Sequence, residues 1–115
     1  MKLEIRDIKE KGTDEERLVL AATEDCDIGK YFAFLTKKNA QNIVFTNIKN
    51  PYWFPDKLVK KGDLVILYSK KGTDSSKENK DGSSSHFYYR NLVSPIFIEN
   101  YFALIVEANT WQVEK

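Results

Sequence analysis

Asp63-Leu64-Val65-Ile66-Leu67-Tyr68 is the stretch whose reading decides the fold. Its side chains are apolar at both parities, which predicts a central strand covered on both faces. The same two-residue beat recurs at Leu18/Leu20/Ala22, Tyr31/Ala33/Leu35 and Phe102/Leu104/Val106. Alternate side chains of a strand point to opposite faces, so this period marks strands with one face indoors. No segment repeats at helical spacing long enough to compete. The expectation is an all-β domain spanning residues 1–115, with about 7–9 short strands arranged as an antiparallel sandwich.

The remaining segments fit that frame. Leu3, Ile5 and Ile8 give a first strand, and Glu24-Asp25-Cys26-Asp27 breaks the second. Ile43–Thr46 and Ile96–Ile98 read as short strands, the latter just after Pro95. Pro51 and Pro55 bracket Tyr52-Trp53-Phe54, and proline donates nothing to a ladder, so this piece is expected at an edge or in a crossing loop. Lys70–Ser85 contains no apolar side chain and reads as a long mobile hairpin loop, at about 70–85. Trp111 and Val113 are read as a packed tail.

Composition narrows the function classes. The net charge is +1, from 18 basic and 17 acidic residues, so there is no cationic excess of the kind that drives binding to a phosphate backbone. Cys26 is the only cysteine, so no intrachain disulfide forms. Met1–Asp7 lacks the apolar run of a signal peptide, and no segment has the length of a membrane span. A cytoplasmic protein without membrane contact is expected.

The chain is poorly equipped for catalysis or metal binding. Cys26 lies between two carboxylates, which oppose thiolate formation, and His86 is the only histidine. Zinc needs four Cys/His-type ligands, and the chain has two such residues. Glu24, Asp25 and Asp27 carry calcium-type oxygens without the spacing of a preformed loop. The glycines are isolated turn residues rather than a phosphate cradle. No catalytic residue, cofactor or metal is expected.

Aromatic density is the more informative signal. Tyr52-Trp53-Phe54 is one cluster and His86-Phe87-Tyr88-Tyr89-Arg90 another. In a strand the latter must split, with His86, Tyr88 and Arg90 on one face and Phe87 and Tyr89 on the other. If Phe87 and Tyr89 are core, then His86, Tyr88 and Arg90, with Trp53, form an exposed site suited to a protein partner.

The order of these signals resembles the lamin tail domain. Leu18-Val19-Leu20, a polar break, and Asp27-Ile28-Gly29-Lys30-Tyr31 are similar to one passage of that family. Phe54-Pro55, Leu58 and Lys61-Gly62-Asp63-Leu64-Val65-Ile66-Leu67 are similar to another, and Tyr101–Ile105 stands where the family closes its sheet. The resemblance covers residues 18–107; Ile98-Glu99-Asn100-Tyr101 departs from the family's turn before the last strand. The chain also resembles small bacterial proteins, some carried on mobile elements, in Trp53-Phe54-Pro55 and in the spacing of Gly82, His86, Phe87 and Tyr89. The resemblance implies an immunoglobulin-like sandwich used for binding and names no ligand.

Three functions follow in order of preference. The first is a non-enzymatic module that binds another protein. The second is a barrel for single-stranded nucleic acid, with Lys60, Lys61, Lys70 and Lys71 on phosphates and Trp53 or Tyr88 stacked on bases. The third is a hydrolytic or redox enzyme using Cys26 and His86.

Overall fold

In the computed structural model, which describes residues 1–44 and 47–115, the chain forms ten strands in three sheets. They are β1 (Leu3–Lys9), β2 (Arg17–Ala22), β3 (Cys26–Asp27), β4 (Tyr31–Thr36), β5 (Lys49–Trp53), β6 (Leu58–Val59), β7 (Leu64–Tyr68), β8 (Ser75–Glu78), β9 (Ser84–Tyr89) and β10 (Phe102–Glu107). A single 3-10 turn, Ile28–Lys30, is the only helical element among the described residues. One sheet has the order β1-β2-β7-β9-β8, another β10-β4-β5, and β3 pairs with β6.

The beat in the sequence places the core. Leu18, Leu20, Val65, Leu67 and Tyr88 from the five-stranded sheet join one buried cluster with Tyr31, Ala33 and Ile105 from the three-stranded sheet. Ile28, Phe54 and Val59, from the turn and crossing segments, fill the space between. Each large apolar side chain fully removed from water contributes about 1.5–3 kcal/mol. β7 lies inside its sheet as expected, although Leu64, Ile66 and Tyr68 on its other face are only half-buried.

Three expectations are corrected. The sheets are not wholly antiparallel, because β7 and β9 run parallel, from Leu64 opposite Ser85 to Tyr68 opposite Tyr89. A parallel pair needs a long crossover, and the segment between them supplies it. That segment is not one long loop: it carries β8, which lies outside β9, and the chain returns through a tight turn at Asn79–Ser83. The backbone pairing of β8 leaves no apolar signature, since all four of its residues are exposed. Among the described residues the strands number ten, and the two-residue β3 and β6 are too short to show a period.

Ile96–Ile98 is not a strand either. The Ile96 and Phe97 N–H groups donate to the Glu16 carboxylate, at 2.8 and 3.2 Å, and so need no ladder partner. Of the short strand expected at Ile43–Thr46, Val44 bridges Lys38, and Phe45 and Thr46 lie outside the described residues. The proline reading holds: among the described residues β5, which contains Pro51, pairs only with β4 and forms a sheet edge.

Candidate functional site

His86 and Tyr88 share the inward face of β9, and Arg90, just past the end of that strand, is half-buried. Val65 and Leu67 of β7 stand beside His86 and Tyr88 in register, and both are buried. His86 and Tyr88 are each 6% exposed, whereas Phe87 and Tyr89 are only half-buried. The two sets split as expected; the outward placement of the His-Tyr-Arg set is corrected by the structure. The deciding neighbour is β7, whose aliphatic inner face extends the core onto that side of β9.

Asp63, at the entrance to β7, anchors the inward strip. Its carboxylate accepts from the N–H groups of Lys60 (3.1 Å) and Ser84 (2.9 Å) and lies 3.1 Å from His86 Nε2. On the other side of the ring, Ser76 Oγ of β8 lies 2.9 Å from Nδ1. Burial pushes the Asp63 carboxyl up, but the two backbone donors and His86 outweigh it and hold the group below its ordinary value. The Ser76–His86–Asp63 chain is a clamp. It ties the edge strand, its neighbour and the turn before β7, and it satisfies both nitrogens of a buried ring.

The rest of the strip is aromatic and cationic. Tyr88 meets Phe54 edge to face at 5.6 Å, and Phe54 meets Tyr52 likewise at 5.0 Å. Burial, reinforced by Asp74, pushes the Tyr52 hydroxyl up to about 12 and raises that of Tyr88. Arg90 Nη1 donates to the Asn50 carbonyl, which joins β9 to the edge strand β5. Burial lowers the guanidinium to about 10, against the pull of Tyr52 and Glu16.

Trp53 alone of the four candidates is open, at 44% exposure. Its Nε1 donates to the Gly29 carbonyl at 2.6 Å, which fixes the ring. Gly29 is needed there, because a Cβ on it would stand 2.9 Å from the Asp56 Cα. The Trp53 ring stacks on Phe32 at 4.7 Å, Phe32 on Phe34 at 6.0 Å, and Trp111 meets Trp53 edge-on at 5.1 Å. Phe32 and Phe34 lie on the face of β4 opposite the buried Tyr31, Ala33 and Leu35. Val106 and Leu104 of β10 stand across from them in register, on the same side. The solvent side of the three-stranded sheet is therefore an apolar surface of four rings and two aliphatic side chains. The Tyr31 parity of β4 is the one that gives the strand away in the sequence. The opposite parity, Phe32 and Phe34, carries two rings to the one of the Tyr31 parity and is the signal that points to this surface.

The other candidates behave as turn and surface groups. The Cys26 thiol is pushed up by burial, with Asp27, Glu107 and Asp25 adding to that and Lys2 opposing it. Asp27 accepts from the Gly29 and Lys57 N–H groups, and Asp25 from the Lys61 N–H. These carboxylates hold turns together. Lys60 and Lys61 precede β7 and Lys70 and Lys71 follow it, so the four lysines form two groups at opposite ends; Lys70 pairs with Glu15 at 2.7 Å.

Glu16 gives no sequence signal, being one acid among several in a polar turn. It is fully buried and accepts from the Gly12 N–H (3.0 Å), Ser69 Oγ (2.5 Å) and the Ile96 and Phe97 N–H groups. Its role is to hold the segment after β9 against the start of β2.

No protein-family model matches the chain and no curated protein is found to be similar to it; the molecule is a small all-β protein with several sheets.

Proposed function

We propose that this protein is a non-enzymatic binding module that docks another protein on the outer face of its three-stranded sheet. The framework we propose is an immunoglobulin-like sandwich akin to the lamin tail domain; the core shared by the two larger sheets and the similar passages over residues 18–107 support it. The observation that carries the functional reading is the run Phe34–Phe32–Trp53–Trp111 on the solvent side of a sheet. Aromatic side chains dominate interface hot spots, and contiguous apolar patches on a soluble domain mark interaction sites.

The ring geometry supports a protein partner over single-stranded nucleic acid. Base stacking needs free ring faces. Here Phe32 stands near-parallel to both Phe34 and Trp53, so neighbouring rings compete with a base for stacking on it.

The test is a pull-down from native extract with the wild-type protein, the Phe32→Ala/Trp53→Ala double variant and Tyr89→Ala, all with matching circular-dichroism spectra. Loss of a specific partner with the double variant alone supports the reading. Retention of every partner by the double variant contradicts it. So does salt-sensitive quenching of Trp53 and Trp111 fluorescence by oligonucleotides, which would favour the nucleic-acid reading.

A further inference from the structure

The two larger sheets have four edges, and three of them are guarded against further pairing. β1 carries a bulge between Ile5 and Asp7 together with Glu4, Arg6 and Asp7. β5 carries Pro51, and its ladder with β4 is broken between Ala33 and Leu35. β8 has four exposed polar residues, Lys77 among them. Bulges, proline, lysine and short length are the devices by which natural proteins blunt sheet edges. β10 has none of them: it reads Phe-Ala-Leu-Ile-Val-Glu, and its register with β4 is unbroken over all six residues. Among the described residues no strand lies on its other side. A groove of about 360 Å³ beside it is lined by Ile5, Ile8, Val44, Phe102 and Leu104, with Thr36, Lys38 and Asn42 at its polar part.

We infer that the free edge of β10 pairs antiparallel with β10 of a further copy of this chain, making a two-fold dimer with a continuous six-stranded sheet. The charges at the two ends of the strand favour self-pairing. Lys38 and Lys11 lie over the Phe102 ring at 4.3 and 5.3 Å, and Lys37 and Lys49 over the Tyr101 ring at 4.9 and 5.8 Å. At the other end stands Glu107, exposed and accepting from the Tyr31 hydroxyl at 3.4 Å. Antiparallel pairing brings the anionic end of each copy to the cationic end of the other, and a two-fold axis repeats the attraction.

The faces fix the register. Opposed residues of an antiparallel pair share a side, so the pair must be centred on a residue if both outer faces are to stay outside. Centring on Leu104 opposes Phe102 with Val106 and Ala103 with Ile105, which keeps every ladder position apolar. Centring on Ile105 would set Glu107 against Ala103, on the inner side. The inference stands on the backbone edge of β10 and is decided by the chain mass and the cross-links, whereas the partner proposed above is decided at Phe32 and Trp53, so the two succeed or fail separately.

Light scattering across a concentration series should give twice the 13.4 kDa chain mass, and Val106→Lys should return the protein to a single chain mass with an unchanged circular-dichroism spectrum. In a Cys26→Ser background, Leu104→Cys should form an interchain disulfide under mild oxidation. Directly opposed residues lie about 4.5–5.5 Å apart at Cα, within disulfide reach. Val106→Cys, opposed by Phe102 in this register, should not. If Val106→Lys fails to fold, the cysteine pair still decides. A wild-type monomer at all concentrations overturns the inference, including one that captures an added foreign strand. So does a dimer in which Leu104→Cys fails to cross-link or Val106→Cys cross-links as well.

Discussion

Two aromatic faces of this molecule meet opposite fates. His86 and Tyr88 of β9 turn inward, with the half-buried Arg90 following them, while Phe32 and Phe34 of β4, with Trp53 of β5, turn outward. By composition alone the β9 set suits a surface, since it contains a histidine, a phenol and a guanidinium, and the Phe-Phe-Trp set suits a core. What reverses them is the neighbouring strand. His86 and Tyr88 lie beside the buried Val65 and Leu67, and Asp63 and Ser76 make the burial of the histidine tolerable. Arg90 reaches the Asn50 carbonyl through Nη1, while its Nη2 is buried with no hydrogen-bond partner. Phe32 and Phe34 lie on the parity that Tyr31, Ala33 and Leu35 leave outside.

The largest break in this comparison should come from the inward set. Tyr88→Ala removes a ring packed on Phe54 and should cost about 3–5 kcal/mol of stability, by analogy with buried Phe→Ala changes. Chemical denaturation measures it. Glu16→Ala leaves four donors without their acceptor, two of them the N–H groups of Ile96 and Phe97, and should cost about 1–3 kcal/mol, the penalty of a donor stranded away from water once the others reach solvent.

Asp63 makes the comparison pH-dependent. Its folded carboxyl lies below the ordinary value, so it contributes stability that is fully present above the ordinary carboxylate range. That contribution is lost as pH falls from the ordinary value through the folded one. Asp63→Asn should therefore lower stability at neutral pH and flatten the acid limb of a stability-versus-pH curve. At the other extreme, Tyr52 holds its proton to about 12 against an ordinary 10. Stability from its buried neutral form is present below pH 10 and disappears as pH rises toward 12, and an alkaline absorbance titration should show this phenol ionising late.

The outward set should give the smallest stability effects. Trp111→Ala, at a ring 65% exposed, should change stability by no more than about 0.5 kcal/mol. It should nevertheless abolish the exciton signal of the Trp53–Trp111 pair in circular dichroism, because the two indoles lie 5.1 Å apart.

What is legible in the sequence follows the same physics. Strands with a buried face announce themselves: β2, β4, β7 and β10 all carry the two-residue beat, and Pro51 places β5 at an edge. β8 is hidden because an exposed edge strand is held by backbone pairing, which leaves no side-chain signature. The parallel β7–β9 pair is hidden for the same reason, since it depends on where β8 goes. Of the four site residues, Trp53 is legible as surface. The inward turn of His86 and Tyr88, with the half-buried Arg90 after them, requires knowing that β9 lies beside β7. Glu16 is invisible, because the N–H groups of Ile96 and Phe97 that it satisfies come from residues far away in the chain.

Hydroxyl-radical footprinting read by mass spectrometry tests the inward–outward assignment most directly. Trp53, Trp111, Phe32 and Phe34 should be oxidised readily in the native protein, with His86, Tyr88 and Phe54 protected until it unfolds. Fast native-state labelling of His86 and Tyr88, with Phe32 and Phe34 protected, would contradict the account.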